Sequence, residues 1–325
     1  MAWTVAEMSK IETDTLRKSV MDTLLMESSV LELLPWETIG ALATSVVQYQ
    51  DLPSVGFRMV NNGYTESTGT FKQKVENISL LGGMIDTDKA IARAKNTIAD
   101  ARVIQQLMMV KAIAYKLNDK FINGDPTTDP KEFKGLSKRV DDLVAEGYTS
   151  QYIDNAGTSG DGILLNTAER HNFLNKLDQL IYSIKGHGPA FLFMNKKLLL
   201  ALRSLLRQER LLDTTKDMFD RTVDMYGGAR LVDIGTGADQ TTEIITNTET
   251  LEAAGVAEST SIYAVKFGIG EFLWGIQEYP MEVEDKGLLE AKPVYRTEID
   301  WPLGLAMIDP RSIARLYAII PDSST

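Results

Sequence analysis

The sequence predicts an α+β chain built on one long helix, and three observations predict it. Apolar side chains recur at helical spacing from residue 88 to residue 123, about three times the ordinary helix length of about 11–12 residues. Residues 137–276 alternate amphipathic helical stretches with short β-branched and aromatic runs. From Phe272 to Met307 the pattern is β again.

Taken in order, residues 4–34 read as helix. Thr4 and Glu7 have capping-box spacing, apolar positions run through Val20, Leu24, Leu25, Val30, Leu33 and Leu34, and Pro35 ends it. This arm looks like a unit separate from the rest of the chain. Residues 44–80 read as an extended hairpin, with Ser45–Gln50, Gly56–Val60 and Thr70–Ile78 β-like around a polar Asn61–Gly69 turn. An isolated two-stranded ribbon is marginal in water, and this one has few apolar residues to bury. It needs another surface, such as a neighbouring copy.

The helix over 88–123 takes a cap from Asp86, Thr87 or Asp88. Its apolar positions are Ile91, Ala94, Ile98, Ala101, Ile104, Met108 and Tyr115, and Asn123-Gly124 stops it. No heptad persists and no repeat appears elsewhere, which leaves a spine for a flat domain. Asn166–Ser183 and Lys196–Arg210 read as helices. Ala190–Met194, Ala229–Ile234, Glu243–Thr246 and Ser261–Phe267 read as strands. Trp274–Tyr279 and Tyr295–Trp301 are strands around a charged loop at Glu282–Lys292, and Pro310–Leu316 is a helical turn.

Composition narrows function. The chain has 325 residues and 44% hydrophobic residues, with a mean hydropathy of −0.12. Its most apolar stretches, Ile104–Leu117 and Leu198–Leu206, are broken by Lys111, Lys116 and Arg203 before the roughly 20 residues of a membrane span. The N-terminus lacks the basic flank and apolar run of a secretory signal, so the expected compartment is the cytoplasm. Cysteine is absent, which excludes disulfides, thiolate metal sites and cysteine nucleophiles. The two histidines, His171 and His187, lack metal-ligand spacing. A net charge of −11 argues against gripping nucleic acid, since phosphate contacts need cations.

Two glycine motifs resemble cofactor loops. Val232-Asp-Ile-Gly-Thr-Gly resembles the S-adenosylmethionine motif of methyltransferases, but the β-branched residues after it give no helix N-terminus, so a hairpin turn at Gly235 and Gly237 is preferred. Gly268-Ile-Gly270 lacks a third glycine and runs into a strand. Asp141-Asp142 and Asp213–Asp224 read as solvated faces. No catalytic, cofactor-binding or metal residue is assigned, and the chain is read as a non-enzyme.

The order of elements resembles the tailed-bacteriophage major capsid proteins of the Hong Kong 97-type fold. Local phrases carry the resemblance: Phe121-Ile-Asn-Gly-Asp-Pro with Phe133-Lys-Gly-Leu, Phe193-Met-Asn-Lys-Lys, Tyr226-Gly-Gly-Ala-Arg-Leu-Val-Asp-Ile-Gly, Ser261–Gly268 and Thr297–Leu316. It implies an N-terminal arm at 1–40 and an extended loop at 41–78. It implies a peripheral domain at 79–136 and 277–309 with the spine helix at 88–123, and an axial domain at 137–276 and 310–325. It further implies pentamers and hexamers closing into an icosahedral head around double-stranded DNA, hence a virion protein assembled in the host bacterial cytoplasm. The implied partners are copies of itself, portal and decoration proteins, and DNA touched non-specifically, with no membrane. Some relatives carry a cleaved scaffolding segment, and residues 1–40 are too short for one, so a separate scaffolding protein is expected. Others crosslink through a loop lysine; here Lys72 and Lys74 read as ordinary surface lysines. An encapsulin-type nanocompartment shell shares the fold and is the alternative, with a methyltransferase a distant third.

Overall fold

The computed structural model describes residues 28–92, 101–155, 162–164, 166–186, 191–211, 213–216, 222–249 and 259–321. The first half holds α1 (Ser29–Leu33), β1 (Trp36–Thr38), β2 (Ala43–Asp51), β3 (Thr70–Asn77), β4 (Ser79–Asp88), α2 (Lys89–Ala92), α3 (Ala101–Asn123), α4 (Leu136–Ala145) and β5 (Tyr152–Asp154). The second half holds α5 (Thr167–Ser183), β6 (Phe191–Met194), α6 (Lys196–Gln208), β7 (Asp213–Lys216), β8 (Thr222–Tyr226) and β9 (Ala229–Asp233). The closing strands are β10 (Thr260–Val265), β11 (Leu273–Gln277), β12 (Glu282–Leu288), β13 (Val294–Met307) and β14 (Ile313–Ile319).

A seven-stranded mixed sheet, ordered β5-β14-β10-β6-β9-β8-β7, forms the centre of the molecule. Strand side chains alternate between faces, and the two faces bury into different cores. Phe193, Val232, Tyr263, Val265 and Ile313 pack with Val110, Leu117 and Phe121 of α3 and with Val140 and Leu143 of α4. Leu192, Met194, Leu231, Ile262, Ala264 and Leu316 pack with Leu177, Leu180 and Ile181 of α5 and with Leu198, Leu202 and Leu205 of α6. Every residue of the interior strand β10 is buried, which is why its Ile262–Val265 stretch reads as an apolar run rather than an alternation. The helices start where their caps stand: the side chains of Asn166 and Asn195 accept the N–H groups of Glu169 and Leu198.

The second sheet is organised by β13. β4 pairs along one edge of it over residues 294–303, and β12 and then β11 pair along the other. β1 adds to β11 in parallel. The N-terminal half of α3 lies along this sheet, with the side-chain amide of Gln106 donating to Thr297 Oγ1 at 3.2 Å and Arg102 Nη2 lying 2.8 Å from Asp285.

Several expectations change. Residues 4–27 of the predicted arm helix lie outside the described residues, and residues 28–38 form no separate unit. Val30, Leu31 and Leu34 are fully buried in the core with α3, Trp36 packs 5.0 Å from Trp301, and β1 joins the second sheet. The close approach requires glycine at position 275, where a Cβ would sit 2.6 Å from the Trp36 ring.

The helix predicted over 88–123 is described in two stretches, Lys89–Ala92 and Ala101–Asn123. Ser79–Asp88 is a strand, because its alternate residues Ile85 and Thr87 bury while Leu80, Gly82, Met84, Asp86 and Asp88 face out. Asp86 and Thr87 therefore do not cap; Asp88 does, accepting the N–H of Ala90 at 2.7 Å. Ala94 and Ile98 lie outside the described residues, and the C-terminal stop at Asn123 stands.

Gly56–Val60 is not a strand; regular pairing ends at Asp51 and resumes at Thr70. Glu243–Thr246 forms no strand either, only an isolated bridge from Glu243 to Thr236. The charged segment expected as a loop contains β12, whose polar side chains pair across to the equally charged β13. In Pro310–Leu316 only residues 310–312 turn as a 3₁₀-helix, and Ile313 begins β14, paired to both β10 and β5. Short apolar runs do not distinguish a buried strand from a helical turn. Acidic Asp213 and Asp224 belong to the β7–β8 hairpin, with Asp213 opposite Met225 and Asp224 opposite Thr214.

Candidate assembly surface

The β2–β3 ribbon is inserted between β1 and β4 of the second sheet, and its two faces differ. On β3 the residues two apart, Lys72, Lys74 and Glu76, share the face turned to the body. Both oxygens of the buried Glu76 accept from Arg139 at 2.7 and 2.9 Å. Arg139 also donates to the carbonyls of Leu305 at 2.8 Å and Lys134 at 3.1 Å. Charged groups this deep persist only when paired and fully hydrogen-bonded. Farther out, Lys72 and Lys74 each lie 3.0 Å from Glu146 Oε1 at the end of α4. On β2, Val46 joins a small cluster with Trp274, Ile276 and Ala306, and the Gln48 amide donates to the Met307 carbonyl at 3.1 Å.

The opposite face of the ribbon carries Val47, Tyr49, Phe71 and Val75, all exposed, with Tyr49 and Phe71 directly paired across the strands. Beyond them every residue from 52 to 69 is exposed. The predicted polar turn at Asn61–Gly69 is one part of this segment, and around it the segment presents Leu52, Val55, Phe57, Met59, Val60 and Tyr64, with Phe57 fully exposed. The tip is nonetheless ordered locally: Asn62 N–H donates to Met59 O at 3.1 Å, Arg58 donates to Asn62 O at 3.2 Å, and its guanidinium lies over the Tyr64 ring. Asn61 holds the left-handed conformation the turn requires, with φ 72°. A further exposed apolar row, Val103, Ile104 and Met108, lies on the N-terminal half of α3. Contiguous exposed apolar surface of this kind marks a contact surface.

The cofactor-like motifs place no site here. After β9 the chain folds on itself: Asp233 accepts the N–H of Gly235, Gly237 N–H donates to Thr242 O, and Asp239 gathers Thr241 and Thr242. These hydrogen bonds hold the Asp239 carboxyl far below its ordinary pKa. Among the described residues no helix begins at the glycines, so the methyltransferase reading lacks its cofactor-binding geometry. Gly268 and Gly270 form a tight loop closed by a bridge between Phe267 and Leu273. His171 is exposed 3.8 Å from Glu209, and His187 lies outside the described residues. Among the described residues, no three His, Asp or Glu side chains gather as a metal site, and no helix is long and apolar enough to cross a membrane.

Sequence reasoning missed Arg139, Glu76 and Glu146. The alternation of charge along β3 signals one charged ribbon face; the partners on α4 come from tertiary packing alone.

Comparison with known proteins agrees with this architecture. The family described as major capsid protein GP7 matches residues 12–164. No curated protein matches in sequence. Among solved structures, the holo-SrpI encapsulin complex from Synechococcus elongatus PCC 7942 superposes with a TM-score of 0.64 at 14% identity, covering 100% of this chain and 99% of that one. The capsid of a native GTA particle gives 0.62 at 16% identity over 90% of both chains. Mycobacterium phage Bobi gives 0.56 at 12% identity over 91% of both. These superpositions show that the chain has the Hong Kong 97-type capsid fold, and the family match covers residues 12–164, under half of its length.

Proposed function

We propose that the chain builds pentamers and hexamers that close into an icosahedral phage head around double-stranded DNA, and that it catalyses nothing. The observation that carries this reading is the ribbon: its base is fixed by a buried ion pair, while its outer face and tip expose Tyr49, Phe57, Val60 and Phe71. A firm stem presenting an apolar end suits a second copy, since oligomer contacts bury what one subunit leaves exposed. In this reading the sheet around β13, with α3, forms the peripheral domain near residues 79–136 and 277–309. The seven-stranded sheet forms the axial domain. The partners are a separate scaffolding protein, a portal, decoration proteins and DNA, contacted without sequence preference as the net charge of −11 suggests. The protein then resides in the virion after assembly in the host cytoplasm.

Size exclusion with light scattering, followed by electron microscopy, tests it. Capsomers or megadalton shells that hold DNA in infected cells are expected; a stable 36.0 kDa monomer at all concentrations overturns it. Intact shells filled with protein instead of DNA favour the nanocompartment reading, to which the whole-length superposition on an encapsulin lends weight.

A further inference from the structure

While β2 is seated by buried Val46 and by the Gln48–Met307 hydrogen bond, β3 is held by ion pairs at two places that differ in kind. At Glu76 the grip is a bidentate pair with both side chains buried, satisfied by two further carbonyls. At Glu146 the grip is wet: the carboxylate is 28% exposed and its lysines 47% and 22%. Along β3, exposure rises from Glu76 through Lys74 to Lys72, and beyond Thr70 the ribbon tip is wholly exposed.

Glu146 is also placed against its helix. It is the C-cap of α4, where the helix dipole disfavours an anion. On α4, Asp142 lies one turn away and is occupied by Lys134 at 2.7 Å and Lys138 at 4.0 Å. The charges that face Glu146 from the ribbon are Lys72 and Lys74. Beside it, a crevice of about 690 Å³ opens between Tyr49, Gln50 and Leu52 of the ribbon and Tyr148, Phe272 and Ile308 of the body.

We propose that Glu146 is a releasable latch: Lys72 and Lys74 fasten the outer ribbon to it, and when they let go the outer ribbon swings on a base kept in place by the Glu76–Arg139 pivot, Val46 and Gln48, with the crevice giving it room. The latch sets the direction of the ribbon in the single chain, so it stands independently of what the tip touches. Exposed ion pairs are screened by salt while buried ones are screened little. Salt should therefore free the ribbon and leave the pivot intact.

Hydrogen exchange on the dilute, unassembled full-length chain tests this. In Glu146→Gln, amides of residues 70–75 should exchange up to about tenfold faster, the scale set by two partly exposed pairs. Those of β10 should keep wild-type rates, which shows that the fold is intact. Wild type should reach the same rates at about 1 M salt, where screening extends only about 3 Å, and Glu146→Gln should respond little to salt. Unchanged ribbon exchange in Glu146→Gln, or wild-type ribbon exchange indifferent to salt, overturns the latch. Should Glu146→Gln fail to fold, the wild-type salt series decides alone.

Discussion

Arg139 joins three parts of the chain at one point: the ribbon through Glu76, the β13 backbone through Leu305, and the turn before α4 through Lys134. Removing one member of a buried pair strands the other, at a cost of about 3–5 kcal/mol. Arg139→Ala should therefore lower unfolding free energy by that amount in urea titration, whereas Lys72→Ala should cost under about 1 kcal/mol. Glu146 behaves differently because it titrates. Burial raises its pKa, but hydrogen bonds from Lys72 and Lys74 outweigh this and hold it below the ordinary value of 4.5. A depressed carboxylate stabilises above the unfolded pKa and loses that contribution as pH falls through the folded one. The ribbon should thus loosen only below about pH 4.5. Spin labels at Thr65→Cys and His171→Cys, in a chain with no native cysteine, should report a narrow distance at about pH 6 that broadens once the pH falls through the lowered Glu146 pKa.

Among the elements, the ribbon is where folding and assembly separate. Its exposed tip contributes little to the stability of one chain, because side chains that stay in water on folding gain no burial. Phe57→Asp combined with Val60→Asp should leave the melting temperature within about 2 °C. The same variant should abolish particles in light scattering, and normal shells from it would contradict the role given to the tip. The segment 28–38 shows the reverse arrangement. Its hydrogen bonds from Ser29 to Asp233 O and from Arg230 to Glu32, together with fully buried Val30 and Leu31, make it part of the body. In the assembly proposed above, dependence of the leading stretch on neighbouring copies is therefore confined, among the described residues, to the outer ribbon.

At the scale of the whole molecule, the seven-stranded sheet is clad on both faces, and burial within it raises the pKa of its tyrosines. Burial pushes Tyr263 up to about 12 despite the nearby Arg315, and burial with Asp154 beside it does the same for Tyr317. A raised folded-state pKa contributes stability that is complete below the unfolded value of 10.0 and is lost as pH rises through the folded one. Chemical denaturation should show stability level to about pH 10 and falling between there and about pH 12.

Local pattern alone set the element types wherever one period ran long enough. α3 from Ala101 to Asn123, α5 and α6 with their asparagine caps, and strands β6, β9, β10 and β11 are matters of apolar spacing and capping, readable along the chain. The absence of cysteine and the acidic charge limited the chemistry in the same way. Packing in three dimensions decided the rest. Ser79–Asp88 and Ile313–Ile319 became strands because β13 and β10 offer unpaired edges there. Arg139 found Glu76 across 63 positions in the chain. Such choices depend on which backbone edges and buried charges meet in space, and the spacing of residues along a chain does not encode that meeting.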